Sequence, residues 1–200
     1  MTTVRAPRRL GRDPAGPDPV TAADARAGVP VEADAVEVAR EIALRRLDQR
    51  ACTRAELRAH LVSRGTPEAV ADELLARFEQ VGLVDDAAFA AAWTASRHGV
   101  RHLSRRAVAQ ELRAKGLDEA LIVAQTATID EDSELAGARA LAATKRRALA
   151  GLPYAVAYRR LAGVLGRKGY GTGIVVQVVR DSLAAWGAPA GEGAPPEPDL

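Results

Sequence analysis

His98 and His102 stand four residues apart, a spacing that can place two imidazoles on one helical face for a metal ion. Gly99 interrupts the segment, no carboxylate accompanies the pair, and Arg97 and Arg101 flank it, so both read as cationic surface histidines. His60 lies alone inside an apolar helical pattern and reads as an ordinary, partly exposed helix residue. Gly169-Tyr170-Gly171-Thr172-Gly173 has the glycine density of a phosphate loop, but no strand precedes it and no Gly-Lys-Ser or Gly-Lys-Thr follows. The acids from Asp130 to Glu134 lack the central glycine of a calcium loop and read as a solvated linker and helix start. A single cysteine, Cys52, excludes an internal disulfide and a cysteine-based zinc site. No nucleophile, tunable acid or metal set assembles, so the sequence predicts neither an enzyme nor a cofactor.

The chemistry that does emerge is anion binding. Formal net charge is only +2, but it is segregated along the chain. Arg97, Arg101, Arg105, Arg106, Arg113 and Lys115 face one acid, Glu111, in their segment. Arg139, Lys145, Arg146, Arg147, Arg159, Arg160, Arg167 and Lys168 follow with no acid among them. Between these sets Asp118 to Glu134 carries six acids and no Lys or Arg, and Glu68 to Asp86 carries six acids against Arg77. Arginines that merely solvate helix faces would be scattered, whereas clustering is the footprint of a surface for acidic protein or nucleic-acid phosphate.

The elements that must carry those residues repeat. Leu57, Leu61 and Arg64-Gly65 are matched by Val108, Leu112 and Lys115-Gly116, then by Leu161, Leu165 and Lys168-Gly169, at offsets of 51 and 53 residues. In each copy the apolar pair shares a helical face and the glycine falls where a left-handed cap ends the helix. Another apolar residue, Val70, Leu121 or Ile174, follows each glycine in a further helical pattern, and one more pattern precedes each ladder: Ile42, Leu44, Leu47; Phe89, Trp93; Leu135, Leu141. The β-branched run from Ile174 to Val179 keeps this register and is expected to be helix, capped by Thr172. Thr53-Arg54-Ala55-Glu56 is a capping-box pattern, with Ser104 and Pro153 at the equivalent places. Thr66 with Pro67 in the first helical position, Asp118, Asp85 or Asp86, and Asp132 are expected to open further helices. Phe89, Trp93 and Tyr170 are expected to pack in the core, because so few aromatics make a poor base-stacking platform.

The fold expected is all-α: three tandem three-helix repeats in an elongated, curved array with disordered termini. The repeats are assigned to residues 35–84, 85–130 and 131–187. Residues 1–34 and 188–200 are rich in proline, glycine and small residues, and cannot bury enough apolar surface to offset the entropy of ordering. No stretch approaches the ~20 apolar residues of a membrane span and the N-terminus lacks a signal-peptide core, so a cytoplasmic location without membrane contact is expected. A monomer is expected, since each terminal repeat can close the array.

Gly82-Leu83-Val84-Asp85-Asp86, then Phe89-Ala90, Trp93, Arg97 and Glu111-Leu112-Arg113-Ala114-Lys115-Gly116-Leu117, resemble the RecX family of bacterial recombination regulators. The first and third ladders, Glu56-Leu57 to Arg64-Gly65 and Arg159 to Tyr170, fit the same layout, and the resemblance extends over about residues 36 to 186. Leu103-Ser104 departs from it, where relatives commonly carry glycine. The resemblance implies a curved helical protein that binds RecA and its nucleoprotein filament and inhibits strand exchange, ATP hydrolysis and co-protease function. The clustered basic residues above are then its partner surface, toward acids of RecA or phosphates of DNA. The rival reading is an autonomous helical DNA-binding protein, since three-helix units with basic second helices can enter a major groove.

Overall fold

The computed structural model describes residues 31–184, and the expectations for the rest of both tails lie outside the described residues. The order is α1 (Val31–Gln49), α2 (Arg54–Ser63), α3 (Glu68–Gln80), α4 (Asp86–Thr94), α5 (Arg105–Ala114), α6 (Glu119–Thr126), α7 (Glu131–Leu149), α8 (Tyr154–Arg167) and α9 (Thr172–Leu183), with no strand among the described residues. α1 thus begins inside the segment that composition assigns to the tail. α4 runs on into a π-helical turn, Ala95–Val100. The β-branched run of α9 is helical because Val175, Val178, Val179 and Leu183 form its buried stripe, and burial outweighs weak intrinsic propensity.

Helices pack in successive threes, α1 with α2 and α3, α4 with α5 and α6, α7 with α8 and α9. Each trio closes over its own ladder. Leu57 and Leu61 centre the first core with Leu75 and Phe78; Val108 and Leu112 the second with Ala90 and Ile122; Leu161 and Leu165 the third with Leu141 and Val178. The ladder leucines are fully buried, so truncating any one to alanine removes about 2–5 kcal/mol.

Helix ends largely follow local chemistry, with instructive exceptions. Thr53, Asp85, Ser104 and Asp118 cap α2, α4, α5 and α6 with their side chains. α7 is capped by Asp130 rather than Asp132, since the Asp130 carboxylate accepts from Ser133 N at 2.7 Å. Pro67 is itself the residue before α3, and Gly171 rather than Thr172 precedes α9, neither giving a side-chain cap.

Candidate partner-binding surface

The repeats are joined by the same device twice. At the first joint the Thr53 hydroxyl accepts from Glu56 N (3.1 Å) and donates to the Lys115 carbonyl (2.7 Å), while Arg54 N donates to Asp86 Oδ1 (2.8 Å). At the second, Ser104 Oγ accepts from Ala107 N (3.1 Å), Ser104 N donates to the Lys168 carbonyl (3.0 Å), and Arg105 N donates to Glu134 Oε1 (3.0 Å). Each joint therefore sets the amino end of one repeat's second helix on the Lys-Gly end of the next repeat's second helix. A carboxylate from the later repeat takes an amide that the helix start leaves without an internal partner.

Close approach at these joints requires glycine. Gly116 and Gly169 have φ of +76° and +89°, and a Cβ at either would lie 2.5 Å from Ala55 Cβ or Ser104 Oγ respectively. Around the second joint the Tyr170 hydroxyl, buried, donates to the His102 carbonyl at 3.0 Å; burial and the nearby Glu134 push its ionisation up to about 12. His98 Nδ1 donates to the Leu103 carbonyl at 2.8 Å, and its ring lies beside Gly137. The two histidines thus lie half-buried at the joint rather than out on the surface, and His102 takes a left-handed φ of 51°. Glu134 is buried, not part of a solvated linker.

The joints also absorb part of the predicted basic surface. Arg97 stacks 3.8 Å over the Trp93 ring and forms an ion pair with Glu111, its Nε 2.7 Å from the Oε2 that accepts a hydrogen bond from Trp93 Nε1 at 2.9 Å. Lys115 lies 4.6 Å from the same ring on its other contact and pairs with Glu56 at 2.7 Å. With side chains only 15% and 19% exposed, Arg97 and Lys115 are internal struts, and Phe89 stacks on Trp93 at 5.5 Å beside them. Arg97→Ala is expected to cost about 1–2 kcal/mol, read as a lower urea midpoint; an unchanged midpoint would remove the strut from the account.

Glu56 makes the first joint sensitive to acid. Burial raises its carboxyl pKa, but hydrogen bonds and charges from Lys115 and Arg50 outweigh this and hold it below its ordinary 4.5. A carboxyl depressed in the folded state contributes stability above its unfolded value, and that stability is lost as pH falls through the folded value. Between neutral pH and below 4.5 the protein should lose about 1 kcal/mol more than Glu56→Gln does in paired urea titrations. Equal losses would locate acid sensitivity elsewhere.

The remaining predicted cations are outward. Arg113 pairs with Glu119, and Arg139 lies 3.4 Å from Asp181, but both pairs are exposed and worth little, so a partner can take either arginine. Lys168 reaches the Arg101 carbonyl at 3.0 Å. Arg101, Arg105, Arg106, Lys145, Arg146, Arg147, Arg159, Arg160 and Arg167 are exposed and make no ion pair among the described residues. The structure thus gathers its unneutralised charge mainly on α7 and α8. No group of three or more His, Cys, Asp or Glu able to hold a metal occurs among the described residues, and none of their helices is long and apolar enough to cross a membrane.

Three-helix units joined end to end, with an unneutralised basic surface, define a helical-repeat protein. Family models described as the first and second three-helix domains of RecX match residues 39–78 and 85–124. The regulatory protein RecX of Streptomyces coelicolor is 49% identical over 150 residues, 75% of this chain and 80% of that protein. That of Thermobifida fusca is 43% identical over 173 residues, 84% and 94% of the two chains. The crystal structure of RecX from Lactobacillus salivarius superposes with a TM-score of 0.66 at 17% identity, covering 75% of this chain and 97% of that one, a likeness of fold. The chain belongs to the RecX family of regulatory proteins.

Proposed function

We propose that this protein binds RecA and the RecA–DNA filament in the cytoplasm and restrains recombinase, ATPase and co-protease activity during DNA repair and the SOS response. The observation that carries the reading, beside family membership, is the run from Arg139 to Arg180, which contains no acid and presents its cations outward on α7 and α8. A linear array offers many modest contacts that act together along a filament groove, so affinity accrues without any single strong site. Contacts spanning adjacent RecA protomers would block subunit addition and hinder the rearrangements that ATP turnover requires. The array acts as a monomer.

The test is RecA-catalysed, single-stranded-DNA-dependent ATP hydrolysis at fixed salt, titrated with the full chain, beside its binding to the same DNA without RecA. Loss of hydrolysis at concentrations too low to coat bare DNA is the expected result. An unaffected ATPase with tight, salt-sensitive DNA binding would establish the autonomous DNA-binding alternative instead.

A further inference from the structure

Between the second and third repeats, α5, α7 and α8 leave a cleft of about 760 Å³, floored by Leu103, Ala107, Leu141 and Val164 and edged by Lys145, Arg167 and Lys168, with Glu111, which Arg97 neutralises, as the one acid in its lining. A second hollow of about 340 Å³ continues it along α8, sharing Lys145, Val164 and Arg167 and adding Arg159 and Arg160. Helical spacing explains the arrangement. Arg160, Val164 and Arg167 lie on one stripe of α8, and Leu141, Lys145 and Ala148 on one stripe of α7, so an apolar floor and a basic edge run side by side.

We propose that this channel docks an acidic segment of a partner protein that also carries an aliphatic side chain. The proposal rests on the RecA reading only in taking the partner to be a protein. Charge complementarity selects the acid: the four cations Lys145, Arg159, Arg160 and Arg167 have no ion-pair partner among the described residues. The floor selects the rest. Half-buried Ala107 and Val164, backed by the buried Leu103 and Leu141, gain from an aliphatic side chain, which a phosphodiester backbone does not present, and neither hollow is lined by an aromatic ring on which a base could stack. Apolar anchoring with flanking carboxylates on arginine is how a groove reads a short peptide, the arginines setting orientation.

Fluorescence anisotropy of a labelled synthetic peptide built of Asp, Glu and Leu, titrated with the full chain, tests this. A dissociation constant on the order of 10–100 μM is expected. Replacing the peptide's leucines with serine should weaken binding about tenfold or more, as should Val164→Asp and, separately, the exposed pair Arg160→Glu with Arg167→Glu, which leaves the core untouched. Equal binding of the serine peptide would reduce the site to bulk charge and overturn the proposal. So would oligothymidylate binding that Val164→Asp weakens as strongly as it weakens peptide binding. A peptide of this chain's own residues 185–200, which contain acids and no Lys or Arg, would overturn it by displacing the probe more effectively than unlabelled probe does. The two readings fail separately. Peptide binding as expected, with no effect on RecA ATPase, would overturn the RecA reading alone; RecA inhibition untouched by Arg160→Glu with Arg167→Glu would overturn the cleft's role.

Discussion

Gly169→Val should lower stability by roughly 3 kcal/mol or more, whereas Gly65→Val should lower it by only about 1–2 kcal/mol. The two glycines occupy the same ladder position and nearly the same conformation, with φ of +89° and +88°. A β-branched residue held there carries a conformational penalty of about 1–2 kcal/mol at either site. Their surroundings differ. A Cβ at Gly65 meets nothing within 4 Å, while one at Gly169 would sit 2.5 Å from Ser104 Oγ and 2.8 Å from Ala107 Cβ. Relief requires the third repeat to move away from α5, which breaks the bond from Ser104 N to the Lys168 carbonyl and strands the Tyr170 hydroxyl. Urea denaturation of both variants measures the difference directly. Equal losses would mean that the close approach of the repeats contributes nothing, and that the glycine serves helix termination alone.

That contrast shows what was legible in the sequence. Helix termination is a local affair, so Arg64-Gly65, Lys115-Gly116 and Lys168-Gly169 announce it, and the apolar residues four apart within each ladder announce the core. The joints are not local. Lys115 and the Glu56 that neutralises it are 59 positions apart, so charge counting along the chain places the lysine on an outer surface. Glu134 looks identical in sequence to its solvated neighbours Glu131 and Asp132, and only the placement of α5 over it explains its burial. Glu56 also departs from the capping box its spacing suggests. Thr53 accepts from its amide, but its carboxylate turns outward to Lys115 and Arg50. A local motif was redirected because the cations of a neighbouring segment bind a carboxylate more strongly than a single amide does.

The third repeat lacks the groups that make this joint in the other two. Thr53 uses its hydroxyl and Ser104 its backbone N–H to hold the carbonyl of the following repeat. At the equivalent place in the third repeat stands Pro153, which has neither donor and gives α8 no side-chain cap.

On the proposed reading, reversing Arg146 and Arg147 together to glutamate is expected to weaken binding to the RecA–DNA filament about 1,000-fold at low salt, at a cost in stability of about 2 kcal/mol at most. Both are exposed at the end of α7 and make no ion pair among the described residues, so no internal contact is broken. What the folded chain loses is their favourable interaction with the carboxyl end of the helix, about 0.3–1 kcal/mol each. Binding loses more, because each reversal converts an attraction of about 1 kcal/mol or more at contact distance into a repulsion of similar size. Screening then sets the signature. The deficit should shrink as salt shortens the Debye length from about 30 Å at 0.01 M toward 8 Å at physiological strength. Arg40→Glu with Arg45→Glu supplies the comparison: it changes net charge by the same amount on α1, where each arginine lies within an ion pair on its own helix. Filament affinity lost equally in both double variants would trace binding to overall charge, whereas loss confined to Arg146 and Arg147 assigns it to the third repeat.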